Sequence, residues 1–172
     1  MRRTIAFILI LGILATGVVL EYVWLTRFVD SYVVQVEAFD TQLLNSQQLV
    51  TALQPDCCPC PTAQQENNIN SETSGFANSN LNNTQNQQTI DGIFATLSAQ
   101  ATTLENRFLR RSKALEMLIS HNCIKEIRVH LAQVNASLSA QKIEEAIIFN
   151  AATLAYLYHL QDNSREKLRH IL

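Results

Sequence analysis

Apolar residues run without a charge from Thr4 to Leu20, directly behind Met1-Arg2-Arg3, and then change from a continuous run to a spaced one. At 1.5 Å per residue such a run covers roughly 26 Å, close to the hydrocarbon thickness of a bilayer. The apolar character continues past Glu21 into Tyr22-Val23-Trp24-Leu25, so two aromatic rings fall at interfacial depth, from which Glu21 can snorkel to the headgroups. Beyond them Leu25, Val29, Tyr32, Val36, Phe39, Leu43, Ser46, Val50 and Leu53 are spaced alternately four and three apart. That is a heptad seam of the coiled-coil kind, broken only by Ser46. No Gly or Pro separates it from the apolar run, so the pattern predicts one helix from about Thr4 to Gln54. Its polar-faced part would stand roughly 40 Å off the bilayer, and Pro55 would end it.

A second seam begins at Ile90 and continues through Phe94, Leu97, Ala101, Leu104, Phe108, Arg111, Leu115 and Leu118. Ser120-His121-Asn122 reads as a break rich in capping residues. A third helix follows from about Cys123 to Ala140, with Ile124, Ile127, Leu131, Val134 and Leu138 on one face. The fourth, Gln141 to about Gln161, is apolar over a wider arc (Ile143, Ala146, Ile147, Phe149, Leu154, Leu157) and predicts burial against more than one neighbour. Asp162-Asn163-Ser164 predicts a further break, with Asn163 and Glu166 as a capping box for a short last helix through Leu172. Between the two seams, residues 62–89 are mostly Asn, Gln, Ser and Thr. Such a stretch buries too little surface to offset its chain entropy and predicts a disordered insertion.

No stretch predicts a strand. The expected fold is all-α: an N-terminal transmembrane helix continuing into a helical hairpin and bundle of about four helices, plus a short C-terminal helix. The expected divisions are 1–25 for cytoplasmic tip and anchor, 26–54 for a stalk helix, 55–89 for a Cys/Pro-containing then Asn/Gln-rich linker, and 90–172 for a helical domain. A length of 172 residues allows one modest domain besides the anchor.

Charge sharpens this division. From Phe28 to Ala99 there is no Lys or Arg, against Asp30, Glu37, Asp40, Asp56, Glu66, Glu72 and Asp91, whereas ten basic residues face seven acidic ones from Gln100 onward. Signs are interleaved in the basic half, which argues against a nucleic-acid stripe, and complementary pairing of the two halves is the expectation. If Leu53 faces Ile90 and Leu25 faces Leu118 in an antiparallel hairpin, Asp30 falls near Lys113 and Glu37 near Arg107. Arg2, Arg3 and the amino terminus outweigh Arg27 beyond the apolar run, so the N-terminus is expected in the cytoplasm and the remainder outside. Ala15-Thr16-Gly17 resembles a signal-peptide cleavage site, but the apolar pattern through Val18, Val19, Leu20, Val23, Trp24 and Leu25 favours an uncleaved anchor in the cell membrane.

The one chemically pointed cluster is Cys57-Cys58-Pro59-Cys60-Pro61. Cys58 and Cys60 with His121 and Cys123 would make four soft ligands for a metal. On the hairpin geometry, though, Cys123 lies at the membrane end, roughly 40 Å from the cluster. Oxidation of Cys57, Cys58 and Cys60 outside the cytoplasm, with an odd cysteine left for a partner chain, is the plainer expectation. No bond from Cys123 to the cluster is expected, and Cys123 reads as a small buried hydrophobe. His121 reads as a capping residue and His130 as solvated. His159 and His170 read as lying near helix C-termini, where the dipole favours positive charge. With four glycines in the chain, a Gly-rich nucleotide loop is excluded, and neither a nucleophile–base order nor a carboxylate pair stands out. The sequence therefore predicts no enzyme, no cofactor and no small-molecule substrate. Of the glycosylation patterns, Asn82-Asn83-Thr84 is expected by chance in an Asn-rich tract, and Asn135-Ala136-Ser137 is the second match.

The stretch Leu118-Ile119-Ser120-His121-Asn122-Cys123-Ile124-Lys125-Glu126-Ile127, then Leu131, Tyr158-His159-Leu160 and the ending Glu166-Lys167-Leu168-Arg169-His170-Ile171-Leu172, resembles the bacterial DUF4363 family. These are small proteins, largely from Firmicutes, with one N-terminal membrane helix and a helical domain. The resemblance implies that architecture and a membrane location, and transfers no catalytic residue. The cysteine-bearing linker is an addition to the family pattern, and its Trp-rich positions are here Phe108 and aliphatics. Together these readings predict a single-pass, extracytoplasmic helical interaction or accessory module. Its partners would be the lipid bilayer and another membrane protein, or a second copy of itself. The alternative is a thiol-redox or metal-binding module built on Cys57–Cys60.

Overall fold

The computed structural model describes residues 2–53, 76–118 and 121–171, with side chains over 5–53, 84–117 and 122–170. They form four helices, α1 (Arg2–Leu53), α2 (Phe76–Leu118), α3 (His121–Ser139) and α4 (Ile143–Ile171), and no strand occurs among the described residues. α1 is 52 residues long, roughly 78 Å at the α-helical rise. Every side chain from Ile5 to Val18 is exposed. The seam then takes over: Leu25, Val29, Tyr32, Val36, Phe39, Leu43 and Val50 are buried, as the heptad spacing predicts. Thr26, buried just inside the bundle, returns its hydroxyl to the Tyr22 and Val23 carbonyls, which satisfies it without a partner helix.

Each helix packs on two neighbours, α1 on α2 and α4, α3 on α2 and α4. Neighbouring helices run antiparallel. Arg107 reaches Gln35, Arg128 reaches Ser112 and Glu116, the Cys123 thiol meets the Tyr156 carbonyl, and Arg165 reaches Asp30. The shared core draws Phe94, Leu104, Phe108 and Leu115 from α2, Ile124, Ile127, Leu131, Val134 and Leu138 from α3, and Ile143, Ala146, Leu157 and Leu160 from α4. Burial of this apolar surface is the main drive for assembly. The foot of the bundle is the end where α1 leaves its apolar run and α4 finishes. The head carries the turn between α3 and α4. There Gln141 sits at φ 58, and the Gln141 and Lys142 amides donate to the Leu138 and Ser137 carbonyls at 3.0 and 2.8 Å, a Schellman closure of α3.

Several sequence expectations are corrected here. α2 starts at Phe76, so the expected disordered linker 55–89 is helical from Phe76 to Thr89; residues 54–75 lie outside the described residues. No Gly or Pro interrupts 76–89. Asn, Gln and Thr each cost only up to about 0.7 kcal/mol in a helix, and extending an already docked helix avoids the cost of nucleation. The break at Asp162-Asn163-Ser164 is absent, and α4 continues through it to Ile171, so there is no separate short C-terminal helix. Ser164 is fully buried with its hydroxyl on the Gln161 carbonyl, and the Asn163 amide meets His159 instead of capping. Contacts of Gln161 and Arg165 with Asp30 hold this turn against α1. On the second seam Arg111 is exposed, and Ser112 is buried beside it in its place.

The α1–α2 register is displaced by about one helical turn from Leu25 against Leu118. Tyr32 meets Phe108, not Arg111, with ring centroids 5.4 Å apart, and donates its hydroxyl to the Leu104 carbonyl at 2.9 Å. The Leu53 carbonyl accepts from Asn86 rather than facing Ile90. Aromatic packing sets this register, and charge does not.

Candidate functional site

Asp30, Glu37 and Asp40 lie on one stripe of α1, and that stripe faces α4, not the basic α2. Asp30 accepts from Gln161 at 2.6 Å and from Arg165 at 3.0 Å, Asp40 from Asn150 at 2.8 Å, and Glu37 from the Tyr158 hydroxyl. The hydrogen bond to the Glu37 carboxylate raises the Tyr158 hydroxyl above its ordinary pKa. The expected pairs Asp30–Lys113 and Glu37–Arg107 are therefore not made.

On its other side α1 meets α2 less extensively, and three hollows follow one another along the contact. The middle one, about 710 Å³, is lined by Gln35, Ala38 and Gln42 of α1 and by Thr96, Ala99 and Gln100 of α2, over the buried floor of Phe39 and Leu104. A smaller one of about 430 Å³ continues toward the head past Asn45, Gly92 and Ile93. Short side chains create this furrow, since Gly92, Thr96, Ala99 and Thr103 recur at intervals of four, three and four along α2. That signal was readable in the sequence. Gln100 lines both hollows, and its Oε1 is buried without a hydrogen-bond partner. An unmatched acceptor costs about 1–3 kcal/mol.

The third hollow lies at the foot and has a different chemistry. It encloses about 680 Å³ between Trp24, Arg27 and Phe28 of α1 and Arg107, Arg110 and Arg111 of α2. Arg111 lies over the Trp24 ring, 4.9 Å from its centroid, a cation–π geometry. Trp24, Phe28 and Tyr32 stack in succession at 5.9 and 5.8 Å. Arg107 bonds the Gln35 side-chain carbonyl. None of these four arginines is ion-paired to a carboxylate among the described residues.

The cysteines and histidines do not gather. Cys57, Cys58 and Cys60 lie outside the described residues, so the expected disulfide and metal readings of the cluster have no structural counterpart. Cys123 is a buried free thiol donating to the Tyr156 carbonyl at 3.4 Å, and burial raises its pKa. It is held neutral and poorly nucleophilic at ordinary pH. His121 opens α3. His130 is not solvated as expected: it is half-buried, stacked on Phe149 and Tyr156 at 6.2 and 5.6 Å, with Nδ1 3.0 Å from the Gln133 amide oxygen. His159 is mid-helix because α4 runs on to Ile171, whereas His170 does lie in the last turn. No group of three or more metal-ligating side chains occurs among the described residues. Asn135, within the second glycosylation pattern, has its amide on Glu105 and its oxygen on Thr102, so it ties α2 to α3.

No family model, curated protein or solved structure matches this chain.

Proposed function

We propose that the protein is a single-pass membrane-anchored helical module, with its N-terminus in the cytoplasm and its bundle outside. Its role would be to hold another membrane protein, or a second copy of itself, against the furrow between α1 and α2. The observation that carries this reading is the exposed apolar length of α1. Phe7 and Ile13 are 69% and 70% exposed and their neighbours are also exposed for several turns, and the same helix continues into the bundle core without interruption. So large a contiguous apolar surface is not left in water, and one helix here is long and apolar enough to cross a membrane. For orientation, Arg2 and Arg3 flank the run on one side and Arg27 on the other. The arginines that folding brings to the foot come from about eighty residues downstream, too far along the chain to weigh in the positive-inside rule.

The furrow supports binding rather than catalysis, since amides and short side chains line it and no nucleophile–base pair occurs among its lining residues. A photo-crosslinker placed at Gln100 in native membranes should give one discrete adduct, identified by mass spectrometry, while the same group at exposed Lys125 should give none. A membrane-impermeant maleimide applied to intact, mildly reduced cells should label the Cys57–Cys60 cluster. Labelling only after lysis, or release of the protein by alkaline carbonate, would overturn the anchored topology. Equal adducts from both crosslinker positions would overturn the furrow.

A further inference from the structure

We infer that the hollow at the foot of the bundle binds the phosphate of an anionic phospholipid headgroup, with Arg27, Arg110 and Arg111 as its ligands and Trp24 as its wall. This rests on the reading of α1 as a membrane anchor.

Depth is the first argument. Counted along α1 from Leu20, Trp24 lies roughly 6 Å and Arg27 roughly 10 Å beyond the end of the apolar run. The headgroup layer extends about 5–8 Å past the hydrocarbon on each side. Trp24 thus sits at the level of the lipid phosphates, Arg27 reaches back toward that level because a helical side chain tilts toward the N-terminus, and Arg110 and Arg111 line the same hollow from α2. Arg107 stands higher, bonded to Gln35, and closes the hollow away from the membrane.

Charge is the second. Guanidiniums converging on one hollow repel each other and call for an anion. The carboxylates of α1 that would serve, Asp30, Glu37 and Asp40, are engaged by α4, and Glu105 of α2 is engaged by Asn135 of α3. Glu21 is exposed one turn below Trp24, on the bilayer side. A guanidinium stacked on an aromatic face keeps its in-plane N–H donors free, and these match phosphate oxygens in pairs. The third argument is size: a volume of about 680 Å³ accommodates a glycerophosphate headgroup. A lipid in the plane of the membrane is delivered to this depth, whereas a soluble phosphate must compete with the anionic surface, so the lipid is the assigned source.

Trp24 is the only tryptophan in the chain, so its emission reports the site directly. The full chain is reconstituted in phosphatidylcholine nanodiscs containing a minor fraction of phosphatidylglycerol, with bromine on the acyl chains of one lipid or the other. Brominated phosphatidylglycerol should quench Trp24 severalfold more per mole than brominated phosphatidylcholine. The variant R27Q/R110Q, with unchanged circular dichroism, should lose that preference entirely, since each arginine near the surface contributes roughly fivefold in affinity for an anionic lipid. K142Q, which removes a charge at the head, should keep it. Equal quenching by the two lipids, or a preference that survives R27Q/R110Q, overturns the site. A Trp24 response to millimolar sn-glycerol 3-phosphate in pure phosphatidylcholine discs, without a preference among lipids, overturns the lipid as the source. Flotation separates this inference from the anchor on which it rests. Protein that floats with neutral vesicles but shows no lipid preference loses only the headgroup site, and protein that fails to float loses both readings.

Discussion

On the side of α1 that meets α4, Asp30, Glu37 and Asp40 each accept from a named donor and the two helices pack extensively. On the side that meets α2 the contact is less extensive: the aromatic step at Tyr32–Phe108 and a few polar ties cross it above the shared apolar core, and hollows open on either side of that step. One helix thus presents a closed seam and an open one. The closed seam consumes the acidic charge of α1 and so leaves Arg107, Arg110 and Arg111 of α2 without an internal carboxylate. Charge complementarity between two segments of a chain does not establish that they neutralise each other when a third segment can take the acids.

The sharpest way to break this contrast is to change packing on each side. Leu160 is fully buried in α4, and Leu160→Ala should cost about 2–5 kcal/mol. Ala99 is exposed in the furrow, and Ala99→Leu should stay within about 0.5 kcal/mol of wild type. Urea unfolding in detergent, followed by circular dichroism, measures both. Comparable losses would show that the α1–α2 contact is as tightly packed as the rest.

A smaller effect probes the aromatic contact on the open side. Tyr32→Phe removes the buried bond to Leu104 and should cost about 1 kcal/mol. Burial, first among the causes, pushes the Tyr32 hydroxyl far above its ordinary value, with Glu105 adding to the rise and Arg107 opposing it. The folded-state pKa is raised, so this contribution is fully present below the unfolded value of about 10 and is lost as pH rises above it. Wild type should therefore lose up to about 1.4 kcal/mol per pH unit beyond that point through this group. Tyr32→Phe should flatten that alkaline limb, and an unchanged slope would mean that the ring opens to solvent before the bundle unfolds.

The smallest effect tests the closed seam's charges. Asp30 and Arg165 are about half exposed, at 42% and 52%, and Asp30→Asn should cost only about 0.2–1 kcal/mol, less in high salt. A loss several times larger would mean that the carboxylates, and not the apolar residues beneath them, hold α4 in place.

Much of this architecture could be read along the chain. The α1 seam from Leu25 to Val50 and the α3 face from Ile124 to Leu138 are buried as their spacing requires, because heptad periodicity is a local property that survives any arrangement of partners. The elements that depart from their local pattern are those held by distant residues. Asn163 has the local pattern of a cap, and nothing nearby shows that Gln161 and Arg165 reach Asp30; residues 76–89 have the composition of a loop, and Asn86 finds the Leu53 carbonyl only in the fold. Of the candidate site, the line Gly92, Thr96, Ala99 and Thr103 and the arginines of α2 were visible in the sequence. Their meeting with Trp24 and Arg27 was not.

The sequence by itself determined the elements with their own periodicity: an uncharged run fit for a bilayer, seams that bury one face of each helix, and an all-helical class. Tertiary structure alone decided which neighbour each polar stripe addresses. It turned the acids of α1 toward α4, set the α1–α2 register by the fit of Tyr32 against Phe108, and left the arginines at the foot without a carboxylate. Apolar burial scales with area and so fixes which face of a helix turns inward. Exposed charges contribute too little to choose among partners and fall wherever the packed core places them.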